Sequence, residues 1–160
     1  MSRLESMRRR LSAQIDGINW AAKLVADLTG DVLEMGLGNG RTYDHLRQEL
    51  PNRRIWVIDR EINAHPSCIP PASDFLRGEA EDMLKRLAVD GVKIALAHYD
   101  FGHGVKKRDV AEGAALSPLI AAVMVPGGLV LSQQPLVNMK QIRGPDTIAP
   151  DRYLFYRAPS

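Results

Sequence analysis

The sequence predicts an α/β fold with a mostly parallel sheet, helices at the N-terminus, and an antiparallel strand or hairpin at the C-terminus. Two observations predict it. Short apolar runs alternate with segments of helical periodicity, which is typical of βαβ units. The first apolar run, residues 32–35, is followed at once by a glycine-rich turn and a helical segment. A length of 160 residues fits one domain, 1–160, that buries its own core.

The first segment, residues 1–28, is predicted to be helical because its apolar residues recur at steps of three and four. Asp16 and Gly17 are expected to break it, so that Asn19 caps a second helix. The cofactor-binding core is expected to span residues 31–134. Its predicted strands are 32–35, 55–59, 74–77, 93–99 and 129–133.

Helices are expected between these strands. They are predicted at residues 41–50, at 79–88, from about Asp109, and from a proline-marked start at Ser117 to Met124. In the C-terminal strand region, 135–160, residues 153–157 read as a strand with which 137–142 can pair antiparallel.

Composition argues against several classes of protein. The net charge of +2 and the absence of a basic stripe give no indication of nucleic-acid binding. No apolar run approaches the ~20 residues that span a bilayer. Cys68 is the only cysteine, so nothing points to an oxidising compartment. We expect a cytoplasmic protein.

The strongest motif is the turn at residues 34–40, with the pattern E-x-G-x-G-x-G. Its spacing departs from the dinucleotide pattern G-x-G-x-x-G. Glu34 would repel a pyrophosphate but attract a ligand that carries an ammonium group, such as S-adenosylmethionine. Asp59 ends the second predicted strand, where an acid in such sheets accepts hydrogen bonds from ribose hydroxyls. The alternatives are a solvated Glu34 and an Asp59 that only caps a turn.

The order of motifs resembles that of the class I S-adenosylmethionine-dependent methyltransferases. Residues 34–40 resemble their first motif, 58–60 their second, 78–82 the adenine segment, and 98–100 the fourth motif. Residues 116–132 resemble their last helix–turn–strand. The nearest likeness is to small bacterial single-domain proteins named only S-adenosyl-L-methionine methyltransferases. The resemblance implies a Rossmann-like, doubly wound sheet and S-adenosyl-L-methionine as the cofactor.

The resemblance also implies residue roles. Glu34 would hold the amino acid end of the cofactor, Asp59 its ribose, and residues 78–80 its adenine. The complete set of implied cofactor-binding residues is Glu34, Gly36, Gly38, Asn39, Gly40, Thr42, Asp59, Arg60, Gly78, Glu79, Ala80 and Tyr99.

Methyl transfer from a sulfonium needs mainly alignment and, where required, removal of a proton. The candidate catalytic residues are Asp100, His103 and His98, although both histidines are also read as structural. We expect no metal, because Asp100 is the only obvious carboxylate near the ends of the fourth and fifth strands.

The partners are the least determined part of the prediction. The modest charge favours a small-molecule acceptor, with no nucleic-acid or membrane partner, and the N-terminal helices could join two copies of the chain. A non-catalytic S-adenosylmethionine-binding module and a transferase that uses a related donor stay open as alternatives.

Overall fold

Seven strands and four α-helices form the chain in a computed structural model that describes residues 1–160. The helices are Arg3–Leu24 (α1), Arg41–Glu49 (α2), Ala80–Val89 (α3) and Lys106–Val123 (α4). The strands are Asp31–Met35 (β1), Ile55–Asp59 (β2), Phe75–Arg77 (β3), Ile94–Tyr99 (β4), Met124–Ser132 (β5), Lys140–Ile142 (β6) and Leu154–Arg157 (β7). None of the helices is both long and apolar enough to cross a membrane.

All seven strands lie in one sheet, in the order β3-β2-β1-β4-β5-β7-β6. Strands β1 to β5 are parallel, and β7 runs antiparallel between β5 and β6. The predicted fold class, including the C-terminal hairpin, is therefore confirmed. The order reverses between β1 and β4, which opens a crevice at their carboxyl ends where open α/β sheets bind ligands.

Each face of the sheet carries its own apolar core. One core joins α1 and α2 to the side chains of one face, and the other joins α3 and α4 to the opposite face. Consecutive strand residues point to opposite faces, so Leu33 and Met35 belong to the α3–α4 side. Glu34 lies between them and points to the α1–α2 side, into the core on that face of the sheet.

The predicted break at Gly17 is wrong, because α1 continues without interruption from Arg3 to Leu24. A Cβ at Gly17 would come within 3.3 Å of Leu131 and 3.5 Å of Phe155, so the glycine allows the helix to approach the sheet closely. This packing offsets the roughly 1 kcal/mol that glycine costs inside a helix. Asn19 caps nothing; its Oδ1 lies 2.7 Å from His45 Nε2 and joins α1 to α2.

The predicted helix start at Ser117 is also wrong. Helix α4 runs through it, with Pro118 inside the helix, and the Ser117 hydroxyl donates to the carbonyl of Val137. Strand β5 begins at Met124 rather than at residue 129, with a shift of register opposite the proline–glycine turn. No helix separates β5 from β6, so the segment that follows β5 crosses α4 as irregular chain.

Candidate functional site

A cavity of about 430 Å³ opens at the carboxyl edge of the sheet, between β1 and β4. The glycine turn after β1 forms its floor, and the ends of β2 and β3 form one side. The residues after β4 and the first half of α1 form the other side. The wall of the cavity on the α1 side consists of Met7, Arg10, Leu11 and Gln14.

The glycine turn presents bare main chain to this cavity. Gly36, Gly38 and Gly40 all have positive φ angles, of 92°, 52° and 86°, which side chains rarely adopt. A Cβ at Gly38 would meet nothing within 4 Å, although Gly38 lines the cavity. A Cβ at Gly40 would lie 2.5 Å from the Cβ of Cys68. Gly38 therefore leaves room in the cavity, while Gly40 lets the turn pack on the neighbouring loop.

The carboxylate of Asp59 fastens this turn to the end of β2. Its Oδ2 accepts hydrogen bonds from the N–H groups of Leu37 at 2.8 Å and Gly38 at 3.3 Å. Its Oδ1 accepts from Arg60 N–H at 2.7 Å. Because an ionised carboxylate offers about four acceptor positions, one remains for a ligand on the cavity wall.

An ion pair forms the rim on the far side of the cavity. The guanidinium of Arg60 faces the carboxylate of Glu79 with two contacts of 2.9 Å, which joins the end of β2 to the start of α3. Both side chains are more than half exposed, so the pair contributes to the shape of the rim rather than to stability.

Glu34 lies behind the cavity wall and is completely buried. It stands directly opposite His98 in the β1–β4 ladder, and its Oε1 lies 2.6 Å from His98 Nδ1. Its Oε2 has no hydrogen-bond partner within the protein. Burial raises the pKa of Glu34, although the neighbouring His98 opposes this shift.

Tyr153 connects the Glu34–His98 pair to the cavity. His98 Nε2 lies 2.7 Å from the Tyr153 hydroxyl, which in turn lies 3.4 Å from Oδ2 of Asp100. Helix α1 completes the environment of Asp100, since Gln14 Nε2 donates to Oδ2 at 2.5 Å and Arg10 to Oδ1 at 3.2 Å. Asp100 is thus the point where α1, β4 and the segment before β7 meet the cavity.

A second polar cluster follows β4. His103, Asp109 and Glu112 place possible ligand atoms within 4.8 Å of one another. Each carboxylate oxygen of Asp109 accepts a hydrogen bond from the loop, Oδ1 from the N–H of His103 at 2.6 Å and Oδ2 from that of Gly104 at 3.1 Å. Glu112 Oε2 lies 3.0 Å from the His103 imidazole. This arrangement fixes the loop at the start of α4 and orients His103 at the cavity.

Comparison with known proteins agrees with this geometry. Residues 1–158 match the family described as S-adenosyl-L-methionine methyltransferase. This chain belongs to that family. A solved S-adenosyl-L-methionine methyl transferase from Silicibacter pomeroyi DSS-3 is 30% identical, with a TM-score of 0.92 over 99% of each chain.

More distant structures share the fold alone. Human methyltransferase-like protein 13, solved with SAH, is 11% identical with a TM-score of 0.57, over 95% of this chain and 81% of that one. The antibiotic-resistance methyltransferase Kmr is 13% identical with a TM-score of 0.53, over 94% and 91%. No curated protein matches the sequence.

Membership of the S-adenosyl-L-methionine methyltransferase family confirms the cofactor expected from the sequence. The chain's residues also fit that cofactor. Glu34 leaves a buried oxygen unpartnered beside the turn, and such an oxygen is costly unless a ligand or water satisfies it. Gly38 offers open main chain, and Asp59 keeps an acceptor position free.

Most of the predicted site residues lie on the cavity wall, and four do not. Those on the wall are Gly36, Gly38, Asn39, Thr42, Asp59, Arg60, Gly78, Glu79, Ala80, Asp100 and His103. Glu34, His98 and Gly40 lie behind it. Tyr99 is completely buried on the α3–α4 side, where it packs against Phe101 with ring centroids 4.7 Å apart. The structure therefore gives no support to direct ligand contact by Tyr99.

Other residues of the site carried no signal in the sequence. Arg10 and Gln14 are spaced like any residues on one side of a helix, and only packing of α1 against β5 brings them to Asp100. Tyr153 was predicted as the first residue of a strand. It lies just before β7 instead, and its position opposite His98 depends on the antiparallel pairing of β5 and β7.

Proposed function

We propose that this chain transfers the methyl group of S-adenosyl-L-methionine to a small-molecule acceptor that binds between α1 and the residues after β4. One observation carries the proposal. At the point where the strand order reverses, the glycine turn and Asp59 line a cavity that suits an uncharged diol and a cation better than a pyrophosphate.

The cofactor half of the cavity follows the glycine turn and the ends of β2 and β3. Asp59 would accept a hydrogen bond from a ribose hydroxyl with the position that the turn leaves free. Gly78, Glu79 and Ala80 would flank the adenine, with Arg60 closing the rim. Glu34 would receive the ammonium at its unpartnered oxygen, directly or through a water. The bound cofactor supplies a methyl group that is already activated by its sulfonium.

The acceptor half lies against α1. Met7, Leu11 and Phe101 give it an apolar side, while Asp100 and His103 give it groups that can hold or remove a proton. Pockets for one drug-sized ligand occupy about 300–1,000 Å³. A cavity of about 430 Å³ that also accepts the cofactor leaves room only for a small acceptor or a slender group.

Calorimetric titration tests the cofactor assignment. S-adenosylhomocysteine should bind and NAD should not, and Asp27→Asn should bind like the natural protein because Asp27 is exposed and lies outside the cavity. Incubation of S-adenosyl-L-methionine with the dialysable and retained fractions of a cell extract tests the acceptor class. Release of S-adenosylhomocysteine should require the dialysable fraction. Binding of NAD in preference to S-adenosylhomocysteine would refute the proposal.

A further inference from the structure

A row of polar side chains crosses the α1–α2 core and ends at the cavity. It consists of Glu34, His98 and Tyr153, whose exposed fractions are 0%, 0% and 2%, followed by Asp100. Polar groups buried this deeply are costly unless every member is satisfied by its neighbours. His98 and Tyr153 do not line the cavity, so they act through Asp100 or serve the fold alone.

The hydrogens of the row can be counted. When the Glu34–His98 pair holds its mobile proton, Nε2–H of His98 donates to the Tyr153 oxygen, and the Tyr153 hydroxyl is free to donate to Asp100. When the pair loses that proton to solvent, His98 is neutral. Its Nδ1–H still donates to Glu34, and its Nε2 becomes a hydrogen-bond acceptor. The Tyr153 hydroxyl then turns to His98, and Asp100 loses this donor.

We propose that His98 and Tyr153 are positioning residues, and that the proton held between Glu34 and His98 decides whether Tyr153 donates to Asp100 at the cavity. The consequence for ligand binding rests on the proposed function, whereas the coupling between His98 and Asp100 does not. When the Glu34–His98 pair holds its proton, Asp100 accepts hydrogen bonds from three side chains, Gln14, Arg10 and Tyr153. When the pair has lost it, only Gln14 and Arg10 donate.

The charges around His98 favour its protonated state. Burial opposes the imidazolium, but the charge and hydrogen bond of Glu34, with the charge of Asp100, outweigh it and raise the pKa of His98. Arg10, across the cavity wall, acts in the opposite direction. Burial, followed by the charges of Asp100 and Glu34, raises the pKa of Tyr153, so it remains a hydroxyl donor throughout.

Nuclear magnetic resonance on the ligand-free protein tests the coupling. The imidazole nitrogens of His98 and the carboxyl carbon of Asp100 are followed from about pH 6 to about pH 10, beyond the ordinary histidine pKa of ~6.5. The two resonances should shift together in the natural protein. In Tyr153→Phe, His98 should still titrate, while the shift of the Asp100 resonance should shrink to the part that the charge of His98 causes directly. Tyr156→Phe is the control, because it removes a buried hydroxyl that bonds Leu136 on the opposite face.

Calorimetry with S-adenosylhomocysteine over the same pH range tests the consequence. The affinity of the natural protein should change with pH by up to about tenfold as His98 loses its proton. Tyr153→Phe should keep only the direct effect of the Glu34–His98 charge, so its pH dependence should be different from that of the natural protein. If the Asp100 resonance shifts with His98 as much in Tyr153→Phe as in the natural protein, the proposal is overturned. Coupled resonances in a protein that binds no S-adenosylhomocysteine would refute the proposed function and leave the coupling supported.

Discussion

Replacing single glycines by alanine separates the two tasks of the glycine turn. Gly38→Ala places a methyl group in open space on the cavity wall, so its cost to folding is the positive φ, about 1–2 kcal/mol, reduced by about 0.4–1 kcal/mol gained in the unfolded chain. Gly91→Ala is the matched control, with φ +71°, nothing within 4 Å, and no place in the cavity. Both variants should lose about 1 kcal/mol of unfolding free energy.

Gly40→Ala should behave differently. Its Cβ would lie 2.5 Å from the Cβ of Cys68 and 3.1 Å from its carbonyl oxygen, which cannot give way like the end of a flexible side chain. Overpacking of about 1–3 kcal/mol adds to the backbone term, for a total of about 2–4 kcal/mol.

Urea unfolding and calorimetry with S-adenosylhomocysteine measure the two effects. We expect Gly38→Ala to match Gly91→Ala in stability but to bind the ligand at least about tenfold more weakly, because a methyl group would stand where the ligand meets main chain. Natural affinity in Gly38→Ala would refute the assignment of the cofactor to this turn. Equal stability of Gly40→Ala and Gly91→Ala would refute the packing argument.

Two further predictions concern carboxylates beside the cavity. Asp59→Ala should weaken ligand binding and lower the free energy of unfolding, measured by urea titration, by about 1–3 kcal/mol, because the partly buried N–H of Leu37 loses its acceptor. Unchanged stability would show that Asp59 does not fasten the turn. Turnover, assayed by release of S-adenosylhomocysteine, should be unaffected by a chelator, because the cluster offers only two carboxylates, Asp109 and Glu112, and both lie within hydrogen-bond distance of His103. Activity that is lost with chelator and restored by magnesium would contradict this prediction.

The sequence predicts those parts of the fold that depend on local chemistry. Strand β2 ends at Asp59 as predicted. The positive φ angles of the turn favour glycine whatever the rest of the fold is, so the turn is recognisable from local sequence. Gly17 and Ser117 were misread for the opposite reason. Each has a local preference for breaking or starting a helix, but a contact with a distant residue, Leu131 for Gly17 and Val137 for Ser117, decides its conformation.

The same division applies to the site. The cavity wall around the glycine turn is built from residues that directly follow β1, β2 and β3, so the order of motifs in the sequence predicts them. The sequence marks Glu34 as a candidate cofactor ligand and His98 as a candidate catalytic residue. It does not predict that they form a buried pair, because that depends on the register of β1 against β4. Gln14 and Tyr153 are recognisable only after α1 and β7 are packed on the sheet.

Asp100 receives its neighbours from opposite parts of the polypeptide. Arg10 precedes it by 90 positions and Tyr153 follows it by 53. During synthesis on the ribosome, α1 and the glycine turn emerge long before Tyr153, so the Asp100 end of the cavity cannot be complete until the C-terminal segment has emerged. In a nascent chain that stops before Tyr153, His98 Nε2 would lack its hydrogen-bond partner and one edge of β5 would be unpaired. The Asp100 end of the cavity and the last strand pairings of the sheet therefore depend on the same C-terminal segment.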